Sequence, residues 1–284
     1  MNQHHDCCIY LGDELARYGF GNDHPFGPMR HYVFEQEFYK QLLQNKVDIL
    51  SPQTINQSIL ELFHTHDYVE QVKQQSKLGT GFLDHGDTPA FIGMHEATSY
   101  VAVSVCDAVD RLVIKEYKRA FIPIAGLHHT RRNIAAGFCV FNDCGIAIEY
   151  LRHQHHIQRI AYVDIDAHHG DGVFYSFESD PDLIFVDLHE DGRFLYPSTG
   201  AESETGKGDA KGTKLNIPMA PGSNDDAFMR AWESVEEFLL KHRADFILLH
   251  CGADSIKGDP ITHMEYSEKA HAHAAKRLSD ILIW

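Results

Sequence analysis

The chain has 284 residues, 43% of them hydrophobic, and a formal net charge of -16 at pH 7. It contains no run of 18 or more apolar residues, so the composition predicts one globular α/β domain over residues 1–284 that spans no membrane. The acidic balance argues against a nucleic-acid partner and permits basic substrates, because phosphate neutralisation needs clustered lysine and arginine. The cysteines show no C-x-x-C spacing and the N-terminus shows no signal pattern, which favours free thiols and a cytoplasmic protein.

Apolar runs alternate with helical patterns along the chain, which is typical of a parallel sheet with crossover helices. The sequence therefore predicts a parallel-sheet three-layer αβα sandwich. The predicted strands are residues 6–10, 120–125, 160–164, 183–189, 215–217 and 246–251. The predicted helices are residues 94–114, 143–153, 225–242 and 267–282. The third of these helices follows a Pro-Gly-Ser-Asn segment of the kind that caps a helix.

Acids and histidines are concentrated in residues 164–172, directly after an apolar run. Side chains alternate faces along a strand, so Asp164, Asp166 and His168 are expected to point the same way. Burying such polar groups is costly unless they bind a metal or pair with each other. Because aspartate and histidine suit a zinc-type divalent cation, the segment predicts a metal site at a strand end. A solvated acidic turn that happens to contain histidines is the alternative.

Two other predicted strands also end in polar residues, with His128 and His129 after one and Asp254 after the other. Taken singly, paired histidines are often incidental, and an aspartate after a strand is often a helix cap. In open α/β sheets, however, ligands bind outside the carboxyl ends of the strands, so the three strand ends are expected to converge. Asp166, His168 and Asp254 would then give three protein ligands and one open position, as in catalytic zinc sites.

These motifs and their order resemble the superfamily of histone deacetylases, acetylpolyamine amidohydrolases and acetoin-utilisation proteins, which has an arginase-like α/β fold. The resemblance runs from about residue 18 to the C-terminus. It rests on residues 18–30, 64–69 (His-Thr-His-Asp-Tyr-Val), 126–143 (with Gly-Phe-Cys and Asn-Asp), 164–172, 196–200 (Tyr-Pro-Ser-Thr-Gly) and 252–260. It implies zinc-dependent hydrolysis of an acetyl amide, most often on a lysine side chain, in agreement with the metal site expected from the residues.

Amide hydrolysis requires an activated water, a polarised carbonyl and a proton for the departing amine. A zinc ion would supply the first two, and His128 and His129 are the natural proton-transfer pair. The resemblance implies a carboxylate behind each imidazole, with Asp164 behind His128 and Asp171 behind His129. Such a carboxylate fixes the tautomer and raises the basicity of its histidine. We expect His129 to be the general base and acid, and His128 to stabilise the metal-activated water.

The resemblance also implies a monovalent cation, usually K+, beneath the zinc. Its oxygen ligands map onto Asp164, Asp166, Asp187 and the carbonyl groups of His168 and Leu188, consistent with the oxygen preference of hard cations. Many relatives carry serine at the position of Asp187, so the extra carboxylate is expected to alter cation affinity. A turn-capping role for Asp187 is the alternative.

The expected substrate is an acetylated lysine of a peptide or protein, or a small acetylated amine such as an acetylpolyamine. By resemblance, Gly137, Phe138 and Tyr196 match the walls of a narrow apolar channel for the acylated chain. Asp87 matches a rim acid that holds the substrate backbone, and Gly252 gives the substrate room beside the last zinc ligand. For Phe138 and Tyr196 alone, ordinary core packing is the alternative.

One feature of the family has no counterpart in the sequence. Relatives carry, beyond the last zinc aspartate, a glycine-rich loop with a tyrosine or histidine that hydrogen-bonds the developing oxyanion. The chain ends at Trp284, before that loop, so the sequence suggests either a C-terminally truncated form of a longer protein or a weakened enzyme. A metal-binding fragment or pseudoenzyme with little turnover therefore stands beside the deacetylase. Arginase-like dimetal chemistry is disfavoured because a histidine pair, His128 and His129, replaces the acids that a second metal would need.

Overall fold

The computed structural model describes residues 5–21, 24–53 and 56–281, and the chain divides into two compact units, Met1–His155 and His156–Trp284. The strands are β1 (Cys7–Tyr10), β2 (Asp48–Leu50), β3 (Arg119–Phe121), β4 (Ile160–Asp164), β5 (Leu183–Glu190), β6 (Lys214–Met219) and β7 (Phe246–His250). The helices are α1 (Asp13–Ala16), α2 (Met29–Lys40), α3 (Gln57–Leu60), α4 (His66–Leu78), α5 (Met94–Val113), α6 (Asp143–His155), α7 (Asp171–Ser176), α8 (Asp225–His242) and α9 (Glu268–Ile281).

The first unit is built on a small parallel sheet of order β2-β1-β3, in which Ile9 lies between Ile49 and Phe121. Helix α5 is buried over most of its length and packs against α4 and α6, as expected for a helix that is apolar on most sides. Gly145 of α6 lies so close to Phe63 that a Cβ atom would come within 2.6 Å of the ring. Close packing therefore fixes the first turn of α6, which directly follows the loop that bears the paired histidines.

The second unit contains a parallel sheet of order β6-β5-β4-β7. Every residue of β4 and β5 is buried, which is typical of parallel strands covered on both faces. The register places Asp164, the last residue of β4, between Asp187 of β5 and His250 of β7. Because these strands are parallel, their polar residues meet at the same end of the sheet.

Helices α8 and α9 pack together in the apolar core of this second unit. Helix α8 begins at Asp225, and the Asn224 side chain caps it by accepting a hydrogen bond from the N–H of Ala227 at 3.2 Å. Trp232 of α8 is almost fully buried and stacks on Phe228, with ring centroids 5.4 Å apart. The α8 and α9 side chains thus close the core beside the strands whose ends carry the acids.

The α/β class with parallel sheets is confirmed, and β4 to β7 and helices α5, α6, α8 and α9 occupy their predicted segments within a few residues. The predicted strand 120–125 is wrong at its end, because β3 stops at Phe121. Pro123 has no N–H to give to a ladder, and Ile124 has a left-handed backbone with φ 74°, so neither can continue the strand. The expectation of one domain over residues 1–284 stays a prediction.

Strand β2 and helices α1 to α4 and α7 are not among the elements predicted from the sequence. Strand β2 has three residues, and α1 and α3 have four each, which is too short for a periodic pattern to show. The predicted helix end at residue 282 lies outside the described residues. Among the helices that the structure describes, none combines the length and the apolar character needed to cross a membrane.

Candidate active site

The paired histidines lie in the loop between β3 and α6. His128 and His129 are 3% and 4% exposed, and their Nε2 atoms are 3.1 Å apart. This is hydrogen-bonding distance, so one ring donates to the other, which accepts. The two imidazoles thus form a buried pair that can share a proton.

Two consecutive residues at the start of α6 anchor this loop. The Asp143 carboxylate accepts hydrogen bonds from the N–H groups of Gly126 at 2.9 Å and Leu127 at 2.7 Å. The Asn142 amide donates to the carbonyl groups of His128 at 3.3 Å and Thr130 at 2.8 Å. The backbone is therefore held on both sides of His129. From the sequence, Asn142 and Asp143 are recognised only as part of a family motif, and their role in holding the loop is not predicted, although both residue types commonly bind nearby backbone groups.

His64 supports the same loop through a hydrogen bond to the backbone of Asn142. Its Nε2 accepts the N–H of Asn142 at 2.9 Å, so Nδ1 is the protonated nitrogen, and Nδ1 lies 3.3 Å from the carbonyl oxygen of Arg132. Burial lowers the pKa of His64 to about 3, and the hydrogen bond to the Arg132 carbonyl opposes only part of that shift. The imidazole is therefore neutral at physiological pH, as its two hydrogen bonds require.

Gly137, a predicted channel residue of this unit, lies directly beside the histidine pair, and Phe138 follows it in the chain. A Cβ atom on Gly137 would come within 2.3 Å of the His129 ring, so only glycine permits this approach. Phe138 has a φ of 66°, and its carbonyl accepts the Tyr18 hydroxyl at 2.5 Å. The Phe138 ring packs edge-on against His24, with centroids 4.5 Å apart. The structure thus brings Gly137 to the predicted proton-transfer pair and packs Phe138 against His24.

Asp87, the predicted rim acid, is exposed in a loop that Asp84 organises. One Asp84 oxygen accepts from the N–H groups of Gly86, Asp87 and Thr88 at 2.8 to 3.0 Å. Burial lowers the pKa of His24, and the charge of Asp87 partly offsets that effect. Asp87 therefore lies near His24, whose ring packs against Phe138.

The predicted zinc ligands converge in the second unit. One donor atom from each of Asp166, His168 and Asp254 lies within 4.8 Å of the other two. The Nδ1 atom of His168 is 3.1 Å from Asp166 Oδ1 and 2.7 Å from Asp254 Oδ2. Burial alone would lower the pKa of His168, but hydrogen bonds to the two carboxylates raise it to about 10.

This donor set fits a divalent cation. Burial raises the pKa of Asp254, and the neighbouring charge of Asp166 raises it further, against the opposing effect of His168. Two carboxylates that repel each other across one imidazole nitrogen gain from a shared positive charge at their centre. Asp166, His168 and Asp254 are therefore able to hold a metal ion of the zinc type.

Asp164 is fully buried at the end of β4 and is surrounded by donors. Its Oδ2 accepts the Tyr162 hydroxyl at 2.6 Å, and its Oδ1 accepts the N–H of Asp166 at 3.0 Å. His250 Nδ1 lies 3.0 Å from the same Oδ1. Tyr162 and His250 were not assigned roles from the sequence. The sequence shows that Tyr162 and Asp164 lie on the same face of β4 and that His250 lies at the end of the β7 apolar run. It does not show that β4 pairs with β7.

Asp187 is fully buried on the neighbouring strand β5. Its Oδ1 is 2.8 Å from His189 Nδ1, and its Oδ2 accepts the N–H of Gly170 at 2.8 Å. Burial raises the pKa of Asp187 to about 6, with the charge of Asp164 adding to the rise and His189 opposing it. Gly170 is the N-cap residue of α7, so the Asp187 carboxylate also makes a capping contact with that segment. Leu188, the next residue, is also fully buried.

The remaining predicted residues of this unit lie near the same strand ends. Asp171 is buried at the start of α7, and its N–H donates to the carbonyl of His169 at 2.8 Å. Tyr196 is 45% exposed, and its ring approaches that of His168 edge-on at 6.4 Å between centroids. The structure thus brings Tyr196 to a predicted zinc ligand.

Gly252 makes the closest backbone approach to that ligand set. A Cβ atom at Gly252 would lie 2.0 Å from Asp166 Oδ2. The Gly252 carbonyl accepts from Ser255 Oγ at 3.2 Å and is 2.8 Å from Nε2 of His271 on α9. Gly252, two residues before Asp254, is therefore fixed by hydrogen bonds and has no room for a side chain.

Comparison with known proteins agrees with this arrangement. Residues 24–283 match the family model of the histone deacetylase domain. The chain is 35% identical over 268 residues to the acetoin utilization protein AcuC of Bacillus subtilis (strain 168), covering 91% of this chain and 69% of that protein. It is 30% identical over 276 residues to AcuC of Staphylococcus aureus (strain COL), covering 93% of this chain and 70% of that protein.

Solved structures give the same result for the fold. An HDAC homologue from Aquifex aeolicus matches with a TM-score of 0.88 at 26% identity, covering 98% of this chain and 76% of that one. The structure of an HDAC homologue complexed with SAHA matches with the same TM-score, identity and coverage. The HD domain of HDA15 matches with a TM-score of 0.92 at 22% identity, covering 98% of this chain and 81% of that one.

The chain therefore belongs to the histone deacetylase family, and the sequence-based assignment is confirmed. Within that family it is similar to the acetoin utilization proteins of bacteria. It is a hydrolytic deacetylase of this family, whose fold implies a catalytic metal. The predicted site residues form two groups. The group in the first unit contains the histidine pair, and the group in the second unit contains the predicted metal ligands.

Replacing Gly252 should test the close approach to Asp166. The added methyl of Gly252→Ala would collide with the carboxylate at 2.0 Å and with its Cβ at 2.5 Å, so Asp166 has to move. We expect divalent metal affinity to fall about tenfold or more, measured by competition with a chelator. Gly21→Ala is a suitable control, because no atom lies within 4 Å of its added methyl and its φ is not in the left-handed region. Unchanged affinity in Gly252→Ala would contradict the described packing.

The buried neutral His64 should leave a signature in the pH dependence of stability. Its pKa is about 3 in the folded chain and 6.5 when unperturbed, so its contribution is complete above about pH 6.5 and is lost as pH falls. Between pH 7 and pH 5 that loss is roughly 2 kcal/mol. In His64→Gln, the difference in free energy of unfolding between these pH values should shrink by about that amount. Denaturant titrations at both pH values measure it, and an undiminished difference would argue against a neutral buried His64.

Proposed function

We propose that the chain is a zinc-dependent amidohydrolase that removes the acetyl group from N-acetyl-lysine. The observation that carries the proposal is the convergence of Asp166, His168 and Asp254, whose donor atoms lie within 4.8 Å of one another in a chain of the histone deacetylase family. Three protein ligands leave a coordination position open for water or substrate, as catalytic zinc sites require. The similarity to an HDAC homologue that was solved in complex with SAHA lends further support.

The metal and its ligands would divide the work of amide hydrolysis. A zinc ion held by Asp166, His168 and Asp254 would polarise the amide carbonyl and lower the pKa of water. The protein keeps these ligands in place through hydrogen bonds to backbone. Asp254 Oδ1 accepts the N–H of Ala167 at 2.9 Å, and Asp166 Oδ1 accepts the N–H of His168 at 2.8 Å. Both carboxylates are therefore oriented by the segment that also carries the imidazole.

His128 and His129 would perform the proton transfers. Their Nε2 atoms are 3.1 Å apart and buried, so a charge on either ring is sensed by the other. We assign His129 as the group that takes a proton from the attacking water and delivers it to the departing amine. His128 would stabilise the attacking oxygen by hydrogen bonding. Asp164 and Asp171 are proposed to orient the pair, Asp164 for His128 and Asp171 for His129.

A monovalent cation, K+ in this proposal, would lie near the end of β4. Its ligands would be oxygens of Asp164, Asp166, His168, Asp187 and Leu188. The charge of the strand ends supports it, because Asp164 and Asp187 are both fully buried on adjacent strands. Burial, together with the charge of Asp164, raises the pKa of Asp187 to about 6 against the opposing effect of His189, and a bound cation would relieve the cost of these buried charges. Carboxylate and carbonyl oxygens are the donors that such a cation prefers.

The channel for the acylated chain would have Gly137, Phe138 and Tyr196 as walls, with Gly252 leaving space beside the metal and Asp87 at the rim. A small acetylated amine such as an acetylpolyamine is the second candidate substrate. The exposed carboxylate of Asp87 and the net charge of -16 favour it, since both attract cationic amines. Comparing kcat/KM for an acetyl-lysine peptide and for N-acetylspermidine distinguishes the two substrates.

Removing any one proposed zinc ligand should abolish both metal binding and turnover. We expect the zinc content of Asp166→Ala, His168→Ala and Asp254→Ala to fall from about one ion per chain to near zero, because only three protein ligands are present. Zinc is measured by elemental analysis, and turnover with a fluorogenic acetyl-lysine peptide. Asp182→Asn, an acid of the same unit that pairs with Arg159, is the control that should retain both.

Two results would oppose the proposal in different ways. Full zinc occupancy in any ligand variant would refute the ligand assignment. Zinc binding without turnover in the unmodified chain would instead favour a metal-binding protein with little activity.

The two histidines should differ in their effect on turnover. His129→Ala is expected to lose about a hundredfold or more in kcat while zinc stays bound, because proton transfer acts in the transition state. His128→Ala should be milder or should shift the pH profile of kcat/KM. The measurement is a pH–rate profile for each variant beside its zinc content. Equal losses that do not depend on pH would contradict the division of roles.

A further inference from the structure

The loop after β5 carries Tyr196 to the predicted zinc ligands. Tyr196 is 45% exposed, and its ring meets the His168 ring edge-on with centroids 6.4 Å apart. A ring with this much solvent around it is weakly held by its own packing. The backbone of its loop therefore contributes to the position of Tyr196.

Gly200 is the point at which this loop is most firmly held. Its N–H donates to Glu204 Oε2 at 2.8 Å, and its carbonyl oxygen is 3.0 Å from His189 Nε2. The residue has a φ of 84°, and a Cβ atom there would lie 2.4 Å from His189 Nε2. Only glycine permits both the left-handed backbone and the close approach of the imidazole.

His189 connects Gly200 to the buried end of the sheet. Its side chain has no solvent exposure and bridges two acceptors, with Nδ1 2.8 Å from Asp187 Oδ1 and Nε2 donating to the Gly200 carbonyl. Because each ring nitrogen has its own acceptor, a single orientation of the ring satisfies both hydrogen bonds. The rigid strand β5 thereby fixes the backbone four residues after Tyr196.

A second histidine supports the same loop beside this one. His169 Nδ1 is 2.8 Å from the Thr199 hydroxyl, and the His169 and His189 rings lie 4.9 Å apart. Gly192, at the other end of the loop, packs so tightly that a Cβ atom would come within 2.6 Å of the Thr199 carbonyl oxygen. The two ends of the loop therefore pack against each other. Thr199 is bound by His169, and Gly200 is bound by the neighbouring His189.

We propose that His189 is a positioning residue for substrate binding, which holds Tyr196 beside His168 through its hydrogen bond to the Gly200 carbonyl. The proposal rests on the proposed function, in which Tyr196 is a wall of the acyl-lysine channel. Because the hydrogen bond orders a wall and touches no reacting atom, its loss weakens binding of the acylated chain and leaves the chemical step and the metal in place.

A matched pair of substitutions separates the two bonds of His189. The amide nitrogen of asparagine occupies the position of Nδ1, so His189→Asn keeps a donor toward Asp187 and loses the one toward Gly200. The longer His189→Gln places its amide nitrogen at the position of Nε2 and keeps the donor toward Gly200. We expect KM for an acetyl-lysine peptide to rise roughly three- to tenfold in His189→Asn, as the loss of one hydrogen bond implies. We expect kcat and zinc content to stay at their original levels, and His189→Gln to restore KM.

Amide hydrogen exchange of residues 192–201 measures the anchor without turnover. Protection of this segment should fall in His189→Asn and return in His189→Gln, and the Kd of the acetyl-lysine peptide should change in parallel. His242→Asn is the control, since that partly buried ring packs against Phe238 of α8 and should leave all of these values unchanged. A chain that never hydrolyses the peptide would sink the proposed function, while exchange and Kd would still decide the role of His189.

The proposal is overturned if His189→Asn leaves exchange and binding as they were. It is also overturned if the asparagine and glutamine variants lose kcat, zinc and protection to the same extent, since that pattern describes a general folding role. Restoration by glutamine alone, together with a change in KM at constant kcat, supports the anchor.

Discussion

The concentration of carboxylates at one end of the second sheet is the constraint on which the rest of the site depends. Asp164 and Asp187 are fully buried and adjacent in register, and Asp166 and Asp254 lie a few residues beyond the same strand ends. Buried like charges are tolerated only where donors or cations balance them. The Tyr162 hydroxyl and the N–H of Asp166 donate to Asp164, the N–H of Gly170 donates to Asp187, and imidazoles lie beside both carboxylates. A cation bound among these carboxylates would offset the free-energy cost of burying them together.

The histidines show how partners decide the state of an imidazole. His64 accepts a backbone N–H, so burial keeps it neutral and its pKa falls to about 3. His168 faces two carboxylates, which overcome burial and raise its pKa to about 10. Burial opposes the charge of His189 as well, but Asp187 beside it raises the pKa of that ring. The state of each ring is thus set by its partners, a backbone N–H for His64 and carboxylates for His168 and His189.

Much of this could be predicted from the sequence, because the motif residues sit at the ends of strands with continuous apolar runs. Asp166, His168 and Asp254 were expected to converge, and their donor atoms do lie together. What could not be predicted depends on strand order. The pairing of β4 with β7 places His250 beside Asp164, and no local pattern encodes that neighbour. The end of β3 was misjudged for the opposite reason, since an apolar run continued past the point where Pro123 stops a ladder.

The residues that touch no substrate explain how such a site stays ordered. Its predicted wall, Tyr196, and its predicted base, His129, both lie on loops, and contacts with neighbouring segments help to fix the geometry of each loop. Asn142 and Asp143 supply those contacts to the histidine loop through four backbone groups. Gly200 receives them from Glu204 and from an imidazole at the end of β5. In both loops a polar side chain on a helix or strand binds backbone rather than another side chain. The placement of a catalytic group then survives variation in the loop sequence, provided that the glycines that admit the close approach remain.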